Sequence, residues 1–517
     1  MAITGDTVVW VGQDGPGQAL HPEATEVPLD GAFVAPAFVD AHVHATATGL
    51  HRTGVDLTVV RDAGELLATI AAAARTTGPH DVLIAHGWDE TAWPAARLPS
   101  REELDAAVGV VPTYLSRVDV HSALVSSALV ELAPQAREAP GWDARGPVTS
   151  TAHHLLRSAA RHAIPAAQRA AAQRAFLAAA AAQGIASVHE CAGPDISGEA
   201  DLASLLEIAA GPDVPEVVPY WGELATTADS AAVQRAKELG ARGLAGDLFA
   251  DGAIGSRTAA LHEPYADQPE CTGNRYLNAD EIAAHLVACT HAGLQAGFHV
   301  IGDAAMTAVI DGFAQAGAIV GRRALVAGKH RLEHVEMVDR EQANVLAGWN
   351  VAASVQPLFD ALWGGTDGMY ATRLGVERAR QMNPFGMFAA AGVVLASGSD
   401  APVTSVDPWA SVRAATHHRT PGQGLTVRGA FNAHTRGGYR AAGVTDGVSG
   451  TLVPGAPAHY TIWDAGELVV AASDSRVRRW STDPRSGVPP LPSLAPDEPL
   501  PRCLRTVRAG TTIFETG

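Results

Sequence analysis

Two histidines close an apolar run, FVAPAFVDAHVHA, as His42-Val43-His44. In an extended strand alternate side chains share a face, so both imidazoles can reach one point, as ligands of a shared cation must. Two further apolar stretches end in histidine, AGFHVIGD at His299 and RLEHVEMV at His334. A late one, VVLASGSDAPV, ends in Asp400. Neutral imidazole and carboxylate together suit zinc, and the same donors accept manganese or iron. A lone strand-end histidine is more often hydrogen-bonded than ligated, and the chain holds 21 histidines. His153-His154 and His417-His418 read as such surface or packing residues. The ordered set of four strand-end histidines and one aspartate points instead to a divalent metal site. Such an ion lowers the pKa of water to about 7. Asp400 can then take a proton from that water and pass it on, and His334 can polarise a carbonyl oxygen.

These residues need elements that bring distant strand ends together. The middle of the chain alternates strand-like and helical runs. Ser100 with Glu103, Asn278 with Glu281 and Asp339 with Gln342 read as capping boxes opening helices. IPAAQRAAAQRAFLAAAAAQG is a strong helix former stopped by Gly184, and the buried strand IASVHE follows it. The same helix–glycine–strand order recurs at HAGLQAGFHVIGD and FAAAGVVLASGSD. The alternation predicts an α/β protein with parallel strands and helical crossovers, and the length fits a (β/α)8 TIM barrel better than an open sheet. In a barrel the strand ends converge on one mouth. Both chain ends read as short strands with turns, DTVVWVGQDG at the start, AHYTIWDAGELVVAA and LRTVRAGTTIFE near the finish. They predict one small domain built from both termini, 1–36 and 443–517, around a barrel of 37–442. The Pro-rich SGVPPLPSLAPDEPLP reads as a surface excursion. The stretch 49–162 is long for one β–α connection and predicts an inserted region over the barrel mouth.

Composition narrows the function classes. The formal net charge of −18 repels phosphate backbones, which argues against nucleic acid as a partner and for a small-molecule substrate. With 47% hydrophobic and 18% charged residues, the chain is expected to be globular. No apolar run reaches a membrane span, and MAITGDTVVWVGQD has no basic segment of a secretory signal. Cys191, Cys271, Cys289 and Cys503 form no C-x-x-C pair, so free thiols and a cytoplasmic setting are expected. No G-x-G-x-x-G turn marks a dinucleotide site. A homodimer is the base-rate expectation for such a chain.

Many co-linear motifs carry a family resemblance: FVDAHVH, GWDETAW, RVDVHSALVSSALV, GIASVHE, FADGAIGSRTAAL, FHVIGDAAM, RLEHVEMV, SVQPLF, GSDAPV and SGTLVPGAPAHYTIWD. With them the chain resembles the amidohydrolase superfamily, and within it the amidohydrolase family 3 group that includes N-substituted formamide deformylases. The resemblance implies a metal-dependent (β/α)8 barrel with a β-sandwich built from both chain ends, and a metal site of His42, His44, His299, His334 and Asp400. It also implies hydrolysis of an amide-type C–N bond, with Asp400 and His334 as the catalytic pair. Deamination of a heterocycle uses the same groups, and a degenerate binding or regulatory scaffold is the third reading. Trp88, Asp119, His121, Arg257, Asp303 and Gln356 fall in shared motifs as pocket-wall candidates, Arg257 as a holder of a substrate carboxylate. His189 and Glu190 either line the site or satisfy each other.

One position departs from the pattern. Family members often carry a lysine shortly before the Asp-Gly of FADG, and its carboxylated form bridges two metals. Here Asp247 stands near that place, four residues before Asp251, and the only lysines are Lys237 and Lys329. A bridging carboxylated lysine from this strand is thereby excluded. An aspartate is several bonds shorter, so Asp247 reaches a metal only if its strand shifts inward; otherwise it hydrogen-bonds to ligands. One tightly held ion on His42, His44, His299 and Asp400 is therefore expected, with His334 left for a weak second ion or for substrate.

Overall fold

The computed structural model describes residues 1–78, 80–94, 97–118, 122–469 and 490–516. Two compact units emerge, one of Met1–His44 with Leu177–Gly517 and one of Ala45–Phe176.

The first unit holds a ring of eight parallel strands: β1 (Phe38–Val43), β2 (Ile185–Ala192), β3 (Glu216–Trp221), β4 (Gly243–Leu244), β5 (Gln295–Val300), β6 (Arg331–His334), β7 (Ala352–Val355) and β8 (Val394–Ser397). Each pairs with the next in chain order. The ring closes just past β8, where Val43 bridges Ala401 in parallel, Asp400 N–H donates to the His42 carbonyl at 2.8 Å and His44 N–H donates to the Ala401 carbonyl at 3.0 Å. Every residue of β1, β2, β5 and β6 is buried, as strands covered on both faces must be. The protein is thus a (β/α)8 barrel, and all three capping boxes form as the sequence predicts, at Ser100, Asn278 and Asp339. Gly184, Gly293 and Gly392 follow helices 166–182, 279–292 and 385–391.

The apolar run before His42 is not one strand. Phe33–Pro36 joins an antiparallel sheet with Tyr460–Asp464, Arg502–Arg508 and Thr511–Glu515, and the chain changes sheets at Ala37. The termini therefore meet in a small β-sandwich domain that also includes the hairpin Ala2–Thr4/Thr7–Trp10. Aromatic packing ties it to the start of β1: the Phe38 ring lies 5.1 Å from Trp409 and 5.8 Å from Trp463. Thr506 Oγ1 adds a hydrogen bond to the Ala181 carbonyl at 2.7 Å. The Pro-rich stretch departs from expectation in part. Leu491 and Leu494 are buried and Leu491–Pro492 pairs with Leu468–Val469, because two leucines in such a stretch are worth more inside than in water. Residues 470–489, which include the end of the expected GELVVAA strand and the first proline of the Pro-rich stretch, lie outside the described residues.

The second unit is built on a five-stranded mixed sheet, Val55–Asp56, Leu83–Trp88, Thr113–Arg117, Ser122–Val125 and Val148–Thr149, with its own apolar cores. Among the described residues, no helix is long and apolar enough to cross a membrane.

Candidate metal centre

The carboxyl ends of β1, β5, β6 and β8 and the bend after β4 bring the ligand candidates together. His42 Nε2 lies 3.5 Å from Asp247 Oδ1 and 3.5 Å from Asp400 Oδ1. His44 Nε2 lies 3.2 Å from Asp247 Oδ2 and 3.2 Å from Asp400 Oδ1. His334 Nε2 lies 4.0 Å from Asp247 Oδ1. Ligand atoms of His42, His44 and Asp400 fall within 4.8 Å of one another, as do those of His42, Asp247 and His334. His299 stands beside these groups, its ring centroid 4.5 Å from that of His334. Asp303 lies at the start of helix Asp303–Val320 and accepts from His262 N–H at 3.0 Å.

Asp247 reaches the centre because β4 stops early. After Leu244 the chain bends at Ala245–Gly246, Leu248 N–H folds back onto the Gly246 carbonyl at 2.8 Å, and pairing with β5 resumes at Phe249 opposite His299. Gly246 has φ +78°, a left-handed conformation that glycine adopts without penalty. Beside this bend the short Asp247 side chain stands 3.5 Å from His42 Nε2 and 3.2 Å from His44 Nε2. Strand alternation is broken a second time at β6. Glu333 and His334 are sequence neighbours, yet both reach β1 or Asp247, because His334 and Val335 take φ +70° and +46°. Asp400, at φ +54°, is a third such position. Non-glycine residues in this region carry strain, and at His334 and Asp400 it falls on residues that face the cluster.

The charges of the site call for a cation. His42 Nδ1 lies 2.9 Å from Glu333 Oε2, a carboxylate that burial would push up but that Arg331 and His42 together hold well below its ordinary pKa. A carboxylate there fixes a proton on Nδ1, which makes Nε2 the nitrogen left to ligate a cation. Nε2 faces two more carboxylates. Burial alone would protonate them, but the imidazoles around Asp247, and those of His42, His44 and His334 around Asp400, hold both below the usual range. In the absence of any other positive charge, protons supply the balance. Burial opposes charge on His44, but Asp247 and Asp400 lift its pKa well above the ordinary value, and His334 is pushed up to about 9 against the same burial, chiefly by Asp247. His299, desolvated and beside His334, falls to about 3 and is neutral. Among the described residues, His42 Nε2, Asp247 Oδ1 and His299 Nδ1 are buried without a hydrogen-bond partner. Converging carboxylates, lone pairs and unsatisfied buried atoms fit a divalent cation of the zinc class.

The remaining candidates are placed as follows. Gln356 Oε1 accepts from His334 Nδ1 at 2.8 Å and so orients that ring. Arg257 forks onto Asp267, with contacts of 3.0 and 2.7 Å, so its guanidinium is already engaged. Trp88 belongs to the second unit, where its buried indole donates to the Leu115 carbonyl at 2.8 Å. Asp119 and His121 lie outside the described residues. His189 Nδ1 meets Arg331 Nη1 at 3.0 Å. The sequence reading missed Arg331 and Glu333. Their signal was present in RLEH, two opposite charges two apart and so on one face of the strand that ends in His334.

A family model described as the amidohydrolase family matches residues 25–514. This chain belongs to that family. By family it is a hydrolase. The Bacillus subtilis protein YtcJ is 27% identical over 421 residues, covering 76% of this chain and 75% of its own. Protein LONG AFTER FAR-RED 3 of Arabidopsis thaliana is 26% identical over 513 residues, covering 92% and 86%. Among solved structures, an uncharacterized metal-dependent hydrolase from Pyrococcus furiosus superposes with a TM-score of 0.76 at 26% identity, over 90% of this chain and 94% of that one.

Proposed function

We propose that this amidohydrolase cleaves the C–N bond of a small amide, using one divalent cation, zinc in the first instance, held by His42, His44, Asp247 and Asp400 and flanked by His299 and His334. The observation that carries the reading is the pair of buried carboxylates facing imidazole nitrogens at 3.2 and 3.5 Å. When bound, the cation supplies Lewis acidity, which polarises a carbonyl and lets water lose a proton near neutral pH.

The protein's own groups do the rest. Asp400, kept ionised, accepts the proton of the attacking water and returns it to the leaving nitrogen. His334, anchored through Nδ1 on Gln356, keeps Nε2 on the Asp247 side of the site, where it can bear on a substrate oxygen. Asp247 adds a carboxylate where family members often carry a carboxylated lysine. Burial of these side chains keeps competing bulk water away. Family membership supports the amide bond as the target.

The test is turnover of a library of N-formyl and N-acyl amines and cyclic amides by zinc-loaded protein, with products identified by mass spectrometry. Equal amounts of carboxylic acid and amine are expected, and Asp400→Asn is expected to lower kcat by roughly 10²- to 10⁴-fold. Ammonia as the nitrogen product would move the assignment to ring deamination. A folded, zinc-loaded protein with no turnover on either class would favour a binding scaffold.

A further inference from the structure

Beneath the cluster, the barrel interior holds an ion pair where the fold ordinarily packs branched aliphatic side chains. Arg331 and Glu333, both fully buried, sit two apart on one face of β6. Arg331 Nε donates to Glu333 Oε1 at 2.6 Å and Nη2 to Oε2 at 2.9 Å, a two-pronged clamp. The other guanidinium contacts are inside the barrel too: Nη1 to His189 Nδ1 at 3.0 Å, Nη2 to the Ala41 carbonyl at 2.7 Å, and the Tyr220 ring 4.2 Å from Cζ. Residues of β1, β2 and β3 thus hold Arg331, and Arg331 holds Glu333. The free face of Glu333 Oε2 then meets His42 Nδ1 at 2.9 Å.

Stability does not account for this arrangement. Desolvating two charges offsets most of their attraction, and well-packed apolar residues of similar volume commonly serve as well or better. What an apolar pair cannot do is fix an imidazole. Ala41 adds to the point, because its carbonyl anchors the same guanidinium one residue before His42. Backbone and ring of His42 are therefore referenced to a single rigid group.

We propose that Glu333, clamped by Arg331, is a positioning residue for the metal centre: it holds the His42 proton on Nδ1, aims Nε2 at Asp247 and Asp400, and raises the affinity of the site for its cation. The inference rests on the metal reading above. Arg331 acts one step further back, by fixing the carboxylate that fixes the ring.

The experiment measures zinc affinity by chelator competition, with near-UV circular dichroism reporting the fold. Glu333→Asp keeps the buried charge pair but withdraws the carboxylate from His42. Arg331→Met/Glu333→Gln removes both charges together, so no unpaired ion is left inside. Either variant, folded, is expected to bind zinc roughly 10- to 100-fold more weakly than wild type. In the wild-type protein, ¹⁵N-labelled at histidine and loaded with zinc, a downfield N–H resonance on Nδ1 that vanishes in His42→Gln is expected whatever the variants do. A folded variant with wild-type zinc affinity, or absence of that resonance, overturns the proposal while leaving the metal centre intact. If wild type binds no zinc, or His44→Ala binds it as tightly as wild type, the metal reading itself fails and the positioning role falls with it.

Discussion

At the scale of single residues, the site is an exercise in where protons and lone pairs lie. Glu333 fixes one proton on His42, Gln356 fixes one on His334, and the opposite nitrogens are left facing Asp247 and Asp400. Asp247→Asn keeps the shape but removes one of the two charges that attract the cation. It is expected to lower zinc affinity by more than tenfold while leaving the melting temperature of the zinc-free protein within a few degrees, measured by chelator competition and thermal unfolding. Unchanged affinity would place Asp247 outside the ligand set. The histidines and Asp400 were legible in the sequence because each ends an apolar strand, and strand ends are where a barrel collects its chemistry. The reach of Asp247 was not legible, because it depends on a backbone bend rather than on residue type. The role of Glu333 was hidden for a different reason: its partner His42 is 291 residues away along the chain.

At the scale of elements, the bend after β4 decides which carboxylate the site receives. Gly222, at the end of β3, lies against that bend so closely that a Cβ there would stand 2.8 Å from the backbone carbon and oxygen of Asp247. Gly222→Ala must therefore push the bend away without any change in φ preference. It is expected to weaken zinc binding while the fold persists; unaltered binding would show that the bend does not set the position of Asp247. A second device is Asp251, just beyond the bend. Its carboxylate accepts the backbone N–H groups of Ala260, Ile301 and Gly302 at 2.7 to 2.9 Å, stapling the loop that follows β5. Asp251→Ala leaves three buried donors unpaired and is expected to destabilise the protein by about 3 kcal/mol in urea unfolding. A change below about 1 kcal/mol would mean that water or relaxation replaces the carboxylate. Helices with capping boxes were readable from four residues each, because the cap is local. The bend and the left-handed turns at His334, Val335 and Asp400 were not, because long-range packing imposes them against local preference.

At the scale of the whole molecule, closure of the eight-stranded ring and the meeting of the termini follow from alternation along the chain. The order of strand and helix was enough to reach the barrel, and two β-rich ends were enough to reach the sandwich. The chain changes sheets at Ala37, inside one apolar run. Stability should depend on pH through buried histidines outside the candidate ligand set. Burial lowers His285 to about 4, His330 to about 3 and His434 to about 4. In the unfolded chain each titrates near 6.5. Below that value the unfolded state takes up protons that the native state refuses, so the stability these groups contribute is complete above about 6.5 and is lost as pH falls towards 4. Three protons correspond to about 4 kcal/mol per pH unit near pH 5. Urea midpoints between pH 5 and 7 check this, and a flat profile would contradict it.

The central claim is that one cation sits among His42, His44, Asp247 and Asp400. An anomalous difference map at the zinc edge, from crystals grown with zinc, tests it most directly. A single strong peak within bonding distance of those four side chains is the predicted result. A map without density there, or with the imidazoles turned away from Asp247 and Asp400, would contradict the account.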